Sequence, residues 1–333
     1  MRTRIAIVGL GLRGVELAHA FGRLDRCKVA RLCDPDETAR RCAEQLFPGI
    51  PVRERIDDLL ADPTVDAIVL ATPSSTHAGL AERALAAGKH CYVESPLALS
   101  LHDAGGALAA ARQSGRVLMV GHELAYHPGV VRLRELIDAG QLGALCYVQA
   151  DRCDRTRPRG EENVLWSAGV DEVALVLALA GEEPCDVEAQ GAGYLRDGIE
   201  EVVFGFLRFP SGLRCHLHCT WLAPGERRLT VVGTRRVATL DDHTLALRAQ
   251  DFDAVASGHA VDSDGHVEKV AVVDRKPLAI QCEHFVACIR QRTSPRTDGE
   301  AGVRVVRVLA ALQDRLDVHR PLRADRSYET AGV

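Results

Sequence analysis

The sequence predicts an α/β fold in two parts: a doubly wound parallel sheet over residues 1–122, and an α+β unit with an open, largely antiparallel sheet over residues 123–333. Three observations predict it. The first third alternates short apolar runs with helix-period segments, the pattern of parallel strands joined by crossover helices. A glycine-rich loop, Gly9-Leu-Gly11-Leu-Arg-Gly14, joins the first apolar run to the first helical segment. Beyond about Val120 the segments become longer strands of alternating polarity.

Taken in order, residues 5–8, 28–33, 67–71, 90–93 and 117–120 read as strands. Residues 14–22, 38–46, 56–62, 76–87 and 101–113 carry helical periodicity between them. Gly88 and Gly115 stand where helices need a left-handed cap. A helix over 128–139 then leads into strands at 144–153, 185–195, 202–209, 213–222, 228–233 and 236–241, with a hairpin turn at Phe209-Pro-Ser-Gly-Leu. A buried helix over 170–179 interrupts these strands, and helices over 277–291 and 299–316 follow, free to pack back on the first domain. Residues 250–274 are polar and carry no assignable period.

With 333 residues, 47% of them hydrophobic and 26% charged, the chain can fill two ordinary cores. A net charge of -5 leaves no basic footprint for nucleic acid. The basic Met1-Arg-Thr-Arg start runs into an apolar stretch too short for a signal peptide or a membrane span. Eleven cysteines scattered through helices and strands read as reduced core thiols, so the composition predicts a cytoplasmic protein.

The glycine loop follows a strand and opens a helix, which is the context that gives the motif its meaning. Gly9 permits the tight turn, Gly11 lets backbone approach a pyrophosphate, and Gly14 lets helix and strand pack closely. The helix N-terminus then points at the phosphates, with Leu12 and Arg13 beside them. Asp34 ends the second strand 20 residues after Gly14, where a carboxylate grips the adenosine ribose. A carboxylate there repels a 2′-phosphate, so NAD is expected, and Arg13 is the guanidinium that would admit NADP.

Further motifs are more specific. Ala71-Thr72-Pro73-Ser-Ser-Thr-His77, then Gly88-Lys-His-Cys-Tyr-Val-Glu94-Ser95-Pro96, then Gly121-His122-Glu-Leu-Ala-Tyr126-His127-Pro128 resemble the Gfo/Idh/MocA family of oxidoreductases. Glu161-Glu-Asn-Val-Leu-Trp166, Cys282-Glu-His-Phe285 and Thr297-Asp-Gly-Glu300 resemble its sugar-nucleotide 3-dehydrogenase branch, and the likeness covers nearly the whole chain. The resemblance implies a nicotinamide pocket between the domains, lined near Thr72, Pro73, His77 and Glu94, with Ser95 beside them.

The sequence departs from the family at two chemical positions. The lysine of the family's Glu-Lys-Pro motif is Ser95, and Asp171 stands where its catalytic histidine belongs. Oxidising an alcohol needs a base of suitable pKa, and a solvated carboxylate is a weak one; desolvation beside Glu172 would raise the pKa of Asp171. Asp171 is therefore the candidate proton carrier, with Tyr126, His122 and Glu172 as further candidates. Capping of the helix start is the structural alternative. Arg157, Trp166 and His127 are candidate substrate contacts. Arg157 belongs to a loop where Arg152, Arg155 and Arg159 also crowd, suited to a phosphate or carboxylate. No metal is expected: Cys215-His-Leu-His-Cys219 resembles a zinc pattern, but strand alternation sends its cysteines and histidines to opposite faces.

The expectation is an NAD(P)-dependent oxidoreductase on a small, polar, sugar-derived substrate with altered acid–base groups. Two alternatives stay open: a redox-neutral NAD-binding lyase, epimerase or cyclase, and a catalytically silent dinucleotide sensor. The uncovered face of the open sheet predicts a homodimer or homotetramer.

Overall fold

The computed structural model describes residues 2–153, 162–225, 227–241, 244–250, 252, 257 and 267–318. Six parallel strands, β1 (Thr3–Val8), β2 (Cys27–Cys33), β3 (Val52–Arg53), β4 (Ala67–Leu70), β5 (His90–Glu94) and β6 (Leu118–Gly121), lie in the order β3-β2-β1-β4-β5-β6. The order reverses between β1 and β4, which opens a crevice at their carboxyl ends. Helices α1 (Leu12–Gly22), α2 (Glu37–Leu46), α3 (Ile56–Leu60), α4 (His77–Ala86) and α5 (Leu101–Ser114) make the connections.

Strands covered on both faces must be apolar throughout, and β4 is fully buried along its length. Alternation divides β1 between two layers. Ile5 and Ile7 join Leu17 and Phe21 of α1, whereas Ala6 and Val8 join Ala81 and Leu85 of α4.

Helix α6 (Pro128–Asp138) crosses into the second sheet, an eight-stranded array in the order β14-β13-β12-β11-β7-β10-β9-β8. Its strands are β7 (Leu145–Cys153), β8 (Asp186–Ala192), β9 (Val202–Arg208), β10 (Arg214–Thr220), β11 (Arg228–Gly233), β12 (Arg236–Leu240), β13 (Leu245–Ala249) and β14 (Val267–Val270). All neighbours are antiparallel except β7 and β10. Val148, Ala150 and Leu217 point inward to a core shared with α7 (Val170–Ala180) and α9 (Gly299–Val318). The opposite face leaves Tyr147, Phe204 and Phe206 exposed.

Three short strands escape the sequence pattern for physical reasons. β3 is two residues long, too short for any period. β14 reads Val-Glu-Lys-Val at the sheet edge, where no burial enforces alternation. β13 buries only Leu245 and Leu247 within a polar stretch. Helix α1 starts two residues before the predicted position, because Leu12 and Arg13 already take helical geometry behind Gly11.

Helix α8 (Pro277–Gln291) returns to the first domain. Its Phe285 meets Tyr92 and Phe21 edge-on, with ring centroids 5.7 and 6.2 Å away. Fully buried, it seals the α1 layer. Phe285→Ala is expected to cost about 3–5 kcal/mol. Denaturant unfolding followed by circular dichroism would measure it, and a loss below about 1 kcal/mol would remove α8 from the core.

Candidate active site

Gly9 takes φ +89°, and a Cβ there would overlap Ala71 O; a Cβ on Gly14 would overlap Gly9 O. Both glycines are demanded by the protein itself. Gly11 differs. Its φ is -68°, open to any residue, and nothing lies within 4 Å of where its Cβ would be. The bare backbone there leaves space for a ligand. Helix α1 has no acidic residue in its first turn and no side-chain cap, so its positive end is uncovered. Leu12 is 69% exposed beside it.

Asp34 closes the other side. Its Oδ2 accepts from Leu10 N at 2.6 Å and its Oδ1 from Asp36 N at 2.8 Å, which fixes the carboxylate beside the glycine turn. Each oxygen keeps lone-pair capacity for a ribose hydroxyl. Arg40 Nη1 donates to Asp34 O at 3.0 Å, so Arg40 is the guanidinium at the ribose end.

Arg13 faces the opposite way. Its Nε donates to Glu94 Oε1 at 3.0 Å, its Nη2 to Glu123 Oε2 at 2.8 Å and its Nη1 to Glu16 Oε2 at 3.3 Å. The expectation that Arg13 would hold a 2′-phosphate is corrected by this geometry, since three carboxylates other than Asp34 claim its guanidinium. Glu94 Oε1 also accepts from Tyr92 Oη at 2.9 Å. Burial raises the Glu94 pKa, and Arg13 and Tyr92 oppose the rise.

His77 staples two strand ends together. Its Nδ1 lies 2.7 Å from Pro96 O and its Nε2 2.8 Å from Thr72 O. Burial lowers its pKa against the pull of both carbonyls and of Glu162. Glu162, in the segment that leads into α7, is near enough for its charge to act on this imidazole. Thr72 and Ser95 are half-buried and Pro73 is exposed around the staple.

From Glu162 the chain enters a π-helical turn, Leu165–Gly169, that runs directly into α7. Such turns are rare and concentrate at functional sites. The turn delivers Asp171 half-buried and Glu172 fully buried. Glu172 Oε1 accepts from Arg227 Nε at 2.8 Å, while its Oε2 is buried with no hydrogen-bond partner among the described residues. Burial raises the Glu172 pKa, opposed by Arg227 and Arg152 and reinforced by Asp171. The desolvated carboxyl of the pair is thus Glu172, whereas Asp171 keeps access to solvent.

Other candidates lie elsewhere. Tyr126 is buried, with its hydroxyl 3.1 Å from Thr297 Oγ1 and its ring against His284, so it does not reach a cleft. His122 has both ring nitrogens buried and without a partner among the described residues, and burial pushes its pKa down to about 4. It is a neutral core imidazole, not an accessible proton donor. His127 Nδ1 accepts from Gly129 N at 3.1 Å and caps α6. Trp166 is buried, and its indole donates to Gln313 Oε1 at 3.1 Å. Arg157 lies outside the described residues. In β10, Cys215 and Cys219 face the core, while His216 and His218 pack against Phe204 on the open face.

Glu123, Arg40 and Arg227 had no signal in the sequence. Each acts through a partner that only the fold brings near.

Residues 3–122 match the model of the oxidoreductase family with an NAD-binding Rossmann fold, and residues 130–239 match the GFO/IDH/MocA C-terminal domain. The chain belongs to the Gfo/Idh/MocA family. It is 31% identical over 326 residues to UDP-N-acetylglucosamine 3-dehydrogenase of Acidithiobacillus ferrooxidans, covering 95% of this chain and 97% of that one. The solved structure of that dehydrogenase superposes with a TM-score of 0.83 at 27% identity, covering 96% of this chain and 99% of the other. The scyllo-inositol 2-dehydrogenase (NAD(+)) of Bacillus subtilis is 24% identical over 88% of each chain. Members of this family are oxidoreductases with an NAD-binding first domain. Among the described residues no helix is long and apolar enough to cross a membrane.

Proposed function

We propose that this Gfo/Idh/MocA protein is an NAD-dependent dehydrogenase of an anionic sugar derivative, a nucleotide sugar foremost, in which Asp171 carries the proton. The observation that carries it is the π-helical turn Leu165–Gly169, which opens α7 with Asp171 half-buried and Glu172 held by Arg227 at the position the family gives its proton carrier.

Gly9, Gly11 and Gly14 would seat the pyrophosphate at the head of α1. Leu12 would be covered by the dinucleotide, and Asp34 would take the adenosine ribose. Thr72, Pro73, Glu94 and Ser95 border the nicotinamide end. Bound there, the dinucleotide supplies or accepts a hydride. The protein's part is to hold the sugar, shield it and handle the proton. Asp171, half-buried at the start of α7, would take a hydroxyl proton or return one once a bound sugar and dinucleotide exclude water from its carboxylate and raise its basicity. Glu172 is held by Arg227, which fixes the first turn of α7 against β10 and β11. The stretch that follows Arg152 carries Arg155, Arg157 and Arg159, residue types suited to a phosphate or carboxylate.

Mixing enzyme, NAD and UDP-N-acetylglucosamine tests the proposal. Growth of the reduced-nicotinamide absorbance is expected. Asp34 predicts NAD bound at least about tenfold more tightly than NADP, measured by calorimetry; equal affinities would reject its ribose role.

We also propose a cytoplasmic homodimer joined through the open sheet face, where Tyr147, Phe204 and Phe206 are 47%, 39% and 48% exposed. Clustered aromatics on one face suit burial against a second copy. Phe204→Asp with Phe206→Asp is expected to halve the sedimentation mass. A wild-type monomer at micromolar concentration would reject the dimer.

A further inference from the structure

The family's lysine is absent at position 95, and a cation reaches the same strand end from a different part of the chain. Arg13 leaves the first turn of α1 and pairs with Glu94, the carboxylate immediately before Ser95, at 3.0 Å. It also pairs with Glu123 at 2.8 Å, just past β6. One guanidinium thereby joins the glycine loop, the end of β5 and the start of the crossover to the second domain. The contact is well defined: Glu94 has a side-chain exposure of only 12%, and Tyr92 fixes the same oxygen. Glu94 Oε2 lies over Gly121, 3.0 Å from where a Cβ would stand.

Charge at this place has a definite consequence. The glycine turn and Asp34 fix the direction of a bound dinucleotide, with adenosine toward β2 and the other half toward the ends of β4 and β5. The oxidised nicotinamide ring carries a positive charge and the reduced ring carries none. A carboxylate near the ring favours the oxidised form, and a guanidinium tied to that carboxylate moderates the preference.

We propose that Arg13 is a positioning residue that holds Glu94 and Glu123 and sets the relative affinity for oxidised and reduced cofactor. The proposal rests on the dinucleotide site described above. Arg13 acts through Glu94 and is not a substitute general base. Loss of the guanidinium leaves two carboxylates uncompensated. Loss of the Glu94 charge leaves Arg13 with Glu123 and Glu16 alone. The two changes should therefore move the preference in opposite directions.

The experiment measures dissociation constants for NAD+ and NADH by calorimetry on purified full-length protein. The variants are wild type, Arg13→Gln, Arg13→Lys and Glu94→Gln, each first shown folded by circular dichroism. The ratio Kd(NAD+)/Kd(NADH) is expected to fall at least about threefold in Arg13→Gln, the scale of one unit charge acting through partly wet space. It should rise by a similar factor in Glu94→Gln, and Arg13→Lys should restore the wild-type ratio. A purely structural role would weaken both cofactors together and leave the ratio unmoved, which overturns the proposal. If wild type binds neither cofactor, the dinucleotide site itself fails; if it binds both and the ratio is unmoved in the variants, only the role of Arg13 fails. Should Arg13→Gln not fold, Arg13→Lys with Glu94→Gln still decides by the sign of the change in Glu94→Gln.

Discussion

Gly11→Asp leaves thermal unfolding unchanged or slightly higher and weakens NAD+ and NADH binding by about a hundredfold. The stability half follows from the helix. Gly11 caps α1 with φ -68°, a conformation any residue adopts, and nothing lies within 4 Å of a Cβ there. Aspartate is among the best N-caps, and its charge suits the positive end of α1. The affinity half follows from the ligand. Both the added bulk and the added charge occupy the place where a pyrophosphate meets the backbone, and about 2.7 kcal/mol of lost binding is a hundredfold. Gly11→Ser separates bulk from charge and should lose less. Gly14→Ala, whose Cβ would overlap Gly9 O, should instead destabilise the fold. Calorimetry and differential scanning on the same samples check both halves. Unimpaired NAD binding by Gly11→Asp would mean that the open space serves something else.

Asp171→Asn lowers turnover by at least about a hundredfold while NAD affinity stays within about twofold, because an amide keeps the shape and cannot exchange the proton. Glu172→Gln should behave differently. It takes the negative charge out of the buried pair with Arg227 at 2.8 Å, so its main cost is stability, about 3 kcal/mol. Steady-state kinetics with UDP-N-acetylglucosamine, together with urea unfolding, distinguish a proton carrier from a brace. Undiminished turnover in Asp171→Asn would remove Asp171 from the chemistry.

Local grammar carried much of the fold. Parallel strands buried on both faces must be apolar runs, and the glycine turn and Asp34 announce themselves within 26 residues of one another. The clamp on Arg13 could not be read that way, because Glu94 and Glu123 lie 81 and 110 residues away. Tyr126 and His122 looked like proton donors by their place in a motif. The fold turns both inward, one onto Thr297 and the other into a buried site. Side-chain direction at a crossover depends on the packing of α6, α7 and α8, which no local pattern encodes. The exchange of roles between Asp171 and Glu172 has the same origin: adjacent carboxylates on a helix point about 100° apart, and only the sheet beneath decides which is buried.

The most direct test is the nicotinamide absorbance of the enzyme mixed with NAD+ and UDP-N-acetylglucosamine, recorded beside the Asp171→Asn variant. Dehydrogenation through Asp171 predicts that the reduced-nicotinamide band grows in wild type and is nearly absent in the variant, although both bind NAD+. Tight binding of NAD+ by wild type with no reduced band for any sugar, nucleotide-linked or free, would contradict it.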